Sequence, residues 1–165
     1  MGQVMYKGVD ASEEQKKVTA LEIGNLFEND SAVTMYAYSS AFEDTATLFQ
    51  NEMMKLHYNI EQDFAFLEKP TKTEDLVCAD YIVAWGKRNI IANKDVKRRA
   101  LFVTKKIFPN IKELDTIFDT KLGNVQNLPI QTDWCSAMNL NTSSNKQFKL
   151  QNQFINPNDF ALPPL

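Results

Sequence analysis

The residues that could do chemistry are few, and most of them sit in one stretch. Ser40-Ala-Phe-Glu43 is followed at once by Asp44, and the chain's single histidine, His57, lies fourteen residues beyond Glu43. A carboxylate pair at a helix start can cap free backbone amides, favour the positive end of the helix dipole, or ligate a metal. Glu43, Thr47, Gln50, Met54 and His57 share one helical stripe at spacings of 4, 3, 4 and 3. A rise of about 1.5 Å per residue nevertheless puts Glu43 and His57 about 21 Å apart, so they cannot hold the same ion. A capping-box glutamate needs no catalytic task, and a lone histidine at a helix end is most often a packing or capping residue. One imidazole with no supporting partners gives no Ser-His-Asp or Cys-His set, and the five isolated glycines build no phosphate loop.

Cys78 and Cys135 lie far apart with no CxxC or CxxH spacing, which excludes a cysteine-based zinc site and leaves a disulfide or two buried thiols. The run Lys87, Arg88, Lys94, Lys97, Arg98, Arg99, Lys105 and Lys106 could meet phosphates. The sequence pI of 5.2 and the absence of a nucleic-acid motif favour instead a solvated face, with no nucleic-acid partner. Residues 1–75 carry fourteen Asp/Glu against six Lys/Arg (−8), and residues 76–165 seven against twelve (+5). Such polarity steers partners or lets the two halves attract each other on docking, and the second is the simpler expectation.

The elements that must position these residues follow from caps and periodicity. Ser12-Glu-Glu-Gln15 is a capping box predicting a helix over 13–27 that buries Val18, Leu21 and Phe27. Residues 31–39 deliver the chain to the main helix. There Ser40 to Glu43 form a second box, and Phe42, Ala46, Phe49, Met53 and Leu56 predict one continuous buried stripe. Residues 63–68 and 76–85 are extended segments, and Asn93 caps a helix over 94–108. After Pro109, Asn110-Ile-Lys-Glu113 restarts a helix that runs to about Leu122. From Asn124 onward eight Asn, five Gln and four Pro replace helix formers, while Trp134, Met138, Phe148, Phe154, Ile155 and Phe160 recur. The expected architecture is one domain, mainly α. Residues 1–123 form a helical body of four main helices with short extended segments, and 124–165 form a long irregular arm laid over it. No run of eighteen apolar residues predicts a membrane span.

Several of these residues also carry a family resemblance. Tyr36-Ala-Tyr38, Glu43-Asp-Thr-Ala46, Leu48-Phe49 and Met53-Met54 resemble the segment that follows the HExxH helix in gluzincin-type zinc metallopeptidases of bacterial secreted or lipoprotein origin. Ile82-Val-Ala-Trp-Gly86, Val96-Lys-Arg-Arg-Ala100 and Ile107-Phe-Pro109 are similar to what lies beyond that helix, so the match covers about residues 30–110. The resemblance implies Glu43 as third zinc ligand, Asp44 as its supporting neighbour, Tyr38 as a site-lining hydroxyl, and an extracytoplasmic location. The sequence departs from the family in lacking HExxH, so neither the two histidines nor the general base is present. The resemblance then implies either a degenerate relative that kept the scaffold without the chemistry, or a fragment: a C-terminal subdomain that supplies one ligand and one wall of a substrate cleft. It would be inactive alone, holding zinc only if an upstream HExxH segment completes the site. Its partners would be that upstream polypeptide or a peptide substrate. The competing expectation is a non-catalytic protein-binding module.

Overall fold

A computed structural model describes residues 10–139. Residues 1–9, and the part of the expected arm holding Phe148, Phe154, Ile155 and Phe160, lie outside the described residues.

The N-terminal helix is two helices. Ser12 and Gln15 close their capping box over α1 (Glu13–Lys16), and Thr19 then starts α2 (Ala20–Asn29) with a second box to Glu22. The break exposes Val18 and Leu21 and leaves Phe27 as the buried anchor of α2. Gly24 is required there by close approach: a Cβ would stand 2.3 Å from Cγ of Trp85.

A 3-10 turn (Met35–Tyr38) leads to α3 (Ala41–Tyr58), which starts on Ser40 and ends at Asn59, whose left-handed backbone (φ 53°) turns the chain. The chain then forms β1 (Asp63–Leu67) and, after a long loop, β2 (Val83–Arg88), followed by α4 (Lys94–Ile107), α5 (Leu114–Lys121), β3 (Gln126–Asn127) and α6 (Trp134–Asn139). α5 begins at Leu114, not at the predicted Asn110 box, so Ile111 is exposed.

The three strands form an antiparallel sheet in the order β1-β2-β3. β1 and β2 pair from Asp63 opposite Arg88 to Phe66 opposite Trp85, and the register then slips so that Leu67 faces Val83. This sheet corrects the expected mainly α architecture: the domain is mixed α/β. The physical reason lies in the core, where Phe27 stacks on Phe64 at 4.6 Å between ring centroids and meets Phe66 and Trp85 edge-on. The two extended segments therefore share the centre of the fold with the helices. A second, smaller cluster of Val83, Leu128 and Ala137, with Ala65, Leu67 and Trp134 packed on it, occupies the other face. Residues 124–139 are thus built into the sheet and its second face.

Cys78 and Cys135 are joined by a disulfide with a Cα–Cα distance of 5.4 Å, tying the 3-10 turn Cys78–Asp80 to α6. The acidic and basic halves meet through Glu28–Lys87 at 2.9 Å, Asp63–Arg88 and Asp44–Arg99. Lys97–Asp119, Arg98–Asp95 and Lys105–Asp115 neutralise much of the remaining basic run locally. Among the described residues, no helix is long and apolar enough to cross a membrane.

Candidate functional site

α3 presents Glu43 from its first turn. The Ser40 hydroxyl accepts the Glu43 amide at 3.2 Å. At the starts of α1 and α2 the third residue's side chain returns to the cap's backbone: Ser12 N–H donates to Gln15 and Thr19 N–H to Glu22, both at 2.8 Å. Glu43 makes no such return bond, and its exposed carboxylate has no partner among the described residues. The predicted second box is therefore half formed: Ser40 caps the helix, and Glu43 is left uncommitted.

Asp44 points elsewhere, because consecutive helical residues diverge by about 100°. Its Oδ2 pairs with Nη2 of Arg99, whose Nη1 donates to the Ser31 carbonyl at 2.7 Å, while Oδ1 is buried without a partner. Tyr38 donates its hydroxyl to Asp30 at 2.8 Å. Burial, reinforced by the Asp30 carboxylate, pushes its phenol pKa upward. Tyr38, Asp44, Arg99 and Asp30 line one hollow of about 430 Å³. The structure thus brings Tyr38 and Asp44 together around Arg99, and Glu43 is not among the residues lining that hollow. His57 sits exposed in the last turn of α3, at the far end from Glu43.

The predicted buried stripe of α3 is displaced around the helix. The buried residues are Leu48, Glu52 and Lys55, whereas Phe42 is 88% exposed, Ala46 is exposed, and Phe49, Met53 and Leu56 are half-buried. Packing against α4 and α5 selects the Leu48 face. Lys55 is accepted there because its ammonium reaches Asn59 and Glu61 at 2.9 and 2.7 Å. The result is an apolar strip from Phe42 to Met53 that no described element covers at its Phe42 end. Phe102 of α4 adds another exposed ring, 64% accessible.

Glu52 escaped the sequence reading. It is fully buried on the face of Leu48 and accepts a hydrogen bond from the Thr104 hydroxyl of α4. Burial pushes its carboxyl up to about 7, only partly opposed by that hydrogen bond. The signal available was its spacing of four from Leu48, but residue type alone argues against burial.

A zinc ion does not fit these residues by themselves. Among the described residues there is no cluster of three His, Cys, Asp or Glu side chains that could hold a metal. Glu43 offers a single carboxylate, and its separation from His57 excludes joint ligation. The chain matches no protein-family model, no curated protein and no solved structure.

Proposed function

We propose that this domain is one part of a two-part, zincin-like metallopeptidase protein. In this reading the strip from Phe42 to Met53 receives an amphipathic helix carrying HExxH, and Glu43 supplies one carboxylate to the metal that helix brings. The observation that carries the reading is the uncommitted Glu43 at a helix start whose capping is already done by Ser40. The exposed Phe42, one residue away, supports a packed partner at the same end of α3. The resemblance in the Glu43-Asp-Thr-Ala46 region supplies the chemistry of that partner. The chain alone lacks the imidazoles and the general base, so it is inactive by itself.

A second reading, a non-catalytic protein-binding module, is favoured by the exposure of Phe42 and Phe102, which needs no metal to explain it. A labelled amphipathic peptide containing HExxH, titrated with the full chain with and without Zn²⁺, separates the two. Under the first reading zinc strengthens binding at least about tenfold, and Glu43→Ala removes that gain while Phe42→Ser weakens binding in both conditions. Binding that is indifferent to zinc and to Glu43 contradicts the metallopeptidase reading and supports the binding module.

A further inference from the structure

The strip on α3 is one wall of a groove. Leu48 of α3 and Val103 of α4 floor a hollow of about 430 Å³, with Thr45 on one side and Arg98 and Phe102 on the other. Phe42 and Phe49 flank Thr45 at spacings of three and four, so all three share one side of α3. The Phe49 ring lies 6.1 Å from that of Phe108, which carries the apolar surface across to the end of α4. Phe42, Phe102 and Phe108 all remain exposed along this lane. An apolar channel between two helices is the shape that receives the apolar face of a third.

The charge left over along the groove is positive and confined to its α4 wall. Asp44 and Arg99, at one end, satisfy each other. Arg98 is largely exposed, and its partner Asp95, at 3.2 Å and three residues away on the same helix, is exposed too, so water screens the pair. Lys106 has no carboxylate partner among the described residues and holds its ammonium 5.6 Å from the centre of the Phe102 ring. These two cations bracket Phe102 one turn to either side, about 12 Å apart along the helix. The α3 wall offers no match: its one lysine, Lys55, is buried on Asn59 and Glu61.

We propose that the occupant of this groove is an amphipathic helix of a protein partner whose flank toward α4 carries two carboxylates, seven residues apart. Seven residues of helix rise about 10.5 Å and return to the same face, so the two acids reach Arg98 and Lys106 while the apolar ridge beside them lies on Phe42 and Phe102. The charge pattern thereby sets which way round the helix lies, acidic flank on α4. This rests on the α3 strip docking a helix, whether or not that helix brings a metal. A bilayer fits the same surface poorly. It cannot enter a groove floored by Leu48 and Val103, and the exposed Glu43 beside Phe42 would face its anionic lipids.

Two fluorescent helical peptides, each with a leucine ridge and no histidine, test the pairing on the full chain without added zinc. One carries Glu and the other Lys at the two flank positions. The Glu peptide is expected to bind at least about fivefold tighter at low salt, with the gap closing at high salt. Arg98→Glu combined with Lys106→Glu reverses the preference, and the recovered binding of the Lys peptide shows that the variant is folded. Arg98→Gln combined with Lys106→Gln abolishes the preference, and Phe102→Ser weakens both peptides. Equal binding of the two peptides, binding of neither, or a preference that the double variants leave unchanged overturns the proposal. Binding to phosphatidylserine vesicles in place of the peptides overturns it in favour of a lipid surface. A reversed preference beside an HExxH peptide indifferent to zinc keeps this pairing and refutes the metal reading. A zinc-dependent complex that ignores Arg98 and Lys106 does the opposite.

Discussion

Thr104 of α4 donates its hydroxyl to Oε1 of Glu52 across the packed α3–α4 interface, and the second oxygen of Glu52 is buried there with no partner. One hydroxyl does not replace the water lost by a carboxylate, so the group favours its neutral form and its carboxyl is raised from 4.5 to about 7. The folded state holds this proton more tightly than the unfolded chain. The cost of ionising Glu52 is therefore absent below about pH 4.5, grows as pH rises toward 7, and is fully present above it.

Glu52→Gln removes that cost. Denaturant unfolding at pH 5 and pH 8 is expected to show the variant's advantage over wild type growing with pH, to a limit on the order of 3 kcal/mol at pH 8. Reading the difference between the two proteins cancels the pH dependence of the shared ion pairs. A pH-independent difference contradicts the raised carboxyl.

The ends of α3 are separable by function. Ser40→Ala removes the hydroxyl that accepts the Glu43 amide and is expected to cost about 1 kcal/mol. Glu43→Ala removes a side chain with no described partner and is expected to change stability by less than about 0.5 kcal/mol. Thermal unfolding of the two variants side by side checks this. A loss at Glu43 equal to that at Ser40 would return Glu43 to a capping role.

The disulfide closes a loop of 57 residues. On the chain-entropy model its removal by the paired substitutions Cys78→Ser and Cys135→Ser costs about 4 kcal/mol. Three backbone hydrogen bonds also hold the Tyr81–Val83 and Gln131–Trp134 segments together, Val83 to Thr132, Gln131 to Val83 and Trp134 to Tyr81, and they make Ile82 and Asp133 an antiparallel bridge. The loss should therefore appear first as faster amide exchange in α6, with the core around Phe27 retained. Simultaneous loss of protection in both regions contradicts that order.

The parts of this fold that local chemistry controls were legible. Ser40 starts α3 and Asn93 starts α4, because caps act within a single turn. Thr19-x-x-Glu22 is an equally local signal, but the longer periodic pattern running from Ser12 concealed it. The sheet was harder because what makes β1 and β2 a sheet is contact with Phe27 and Gly24, residues distant in sequence. A glycine inside a helix is by local rules a weak point, whereas Gly24 is the space that Trp85 occupies. The phase of α3 was misread for a different reason. Its apolar residues mark the Phe42 strip, while its buried face includes Glu52 and Lys55, whose burial depends on Thr104, Asn59 and Glu61. At the candidate site, Glu43 was visible as a residue, but its freedom from the cap and the pairing of Asp44 with Arg99 are tertiary facts.

Zinc stoichiometry reads the role proposed for Glu43 without relying on activity. The full chain, an HExxH helix peptide, and their mixture are dialysed against the same Zn²⁺ solution, with the Glu43→Ala chain in parallel. One tightly held zinc per complex is expected, with little zinc on either component alone and loss of that zinc with Glu43→Ala. Tight stoichiometric zinc on the isolated chain, or a complex whose zinc is unchanged by Glu43→Ala, would contradict that role.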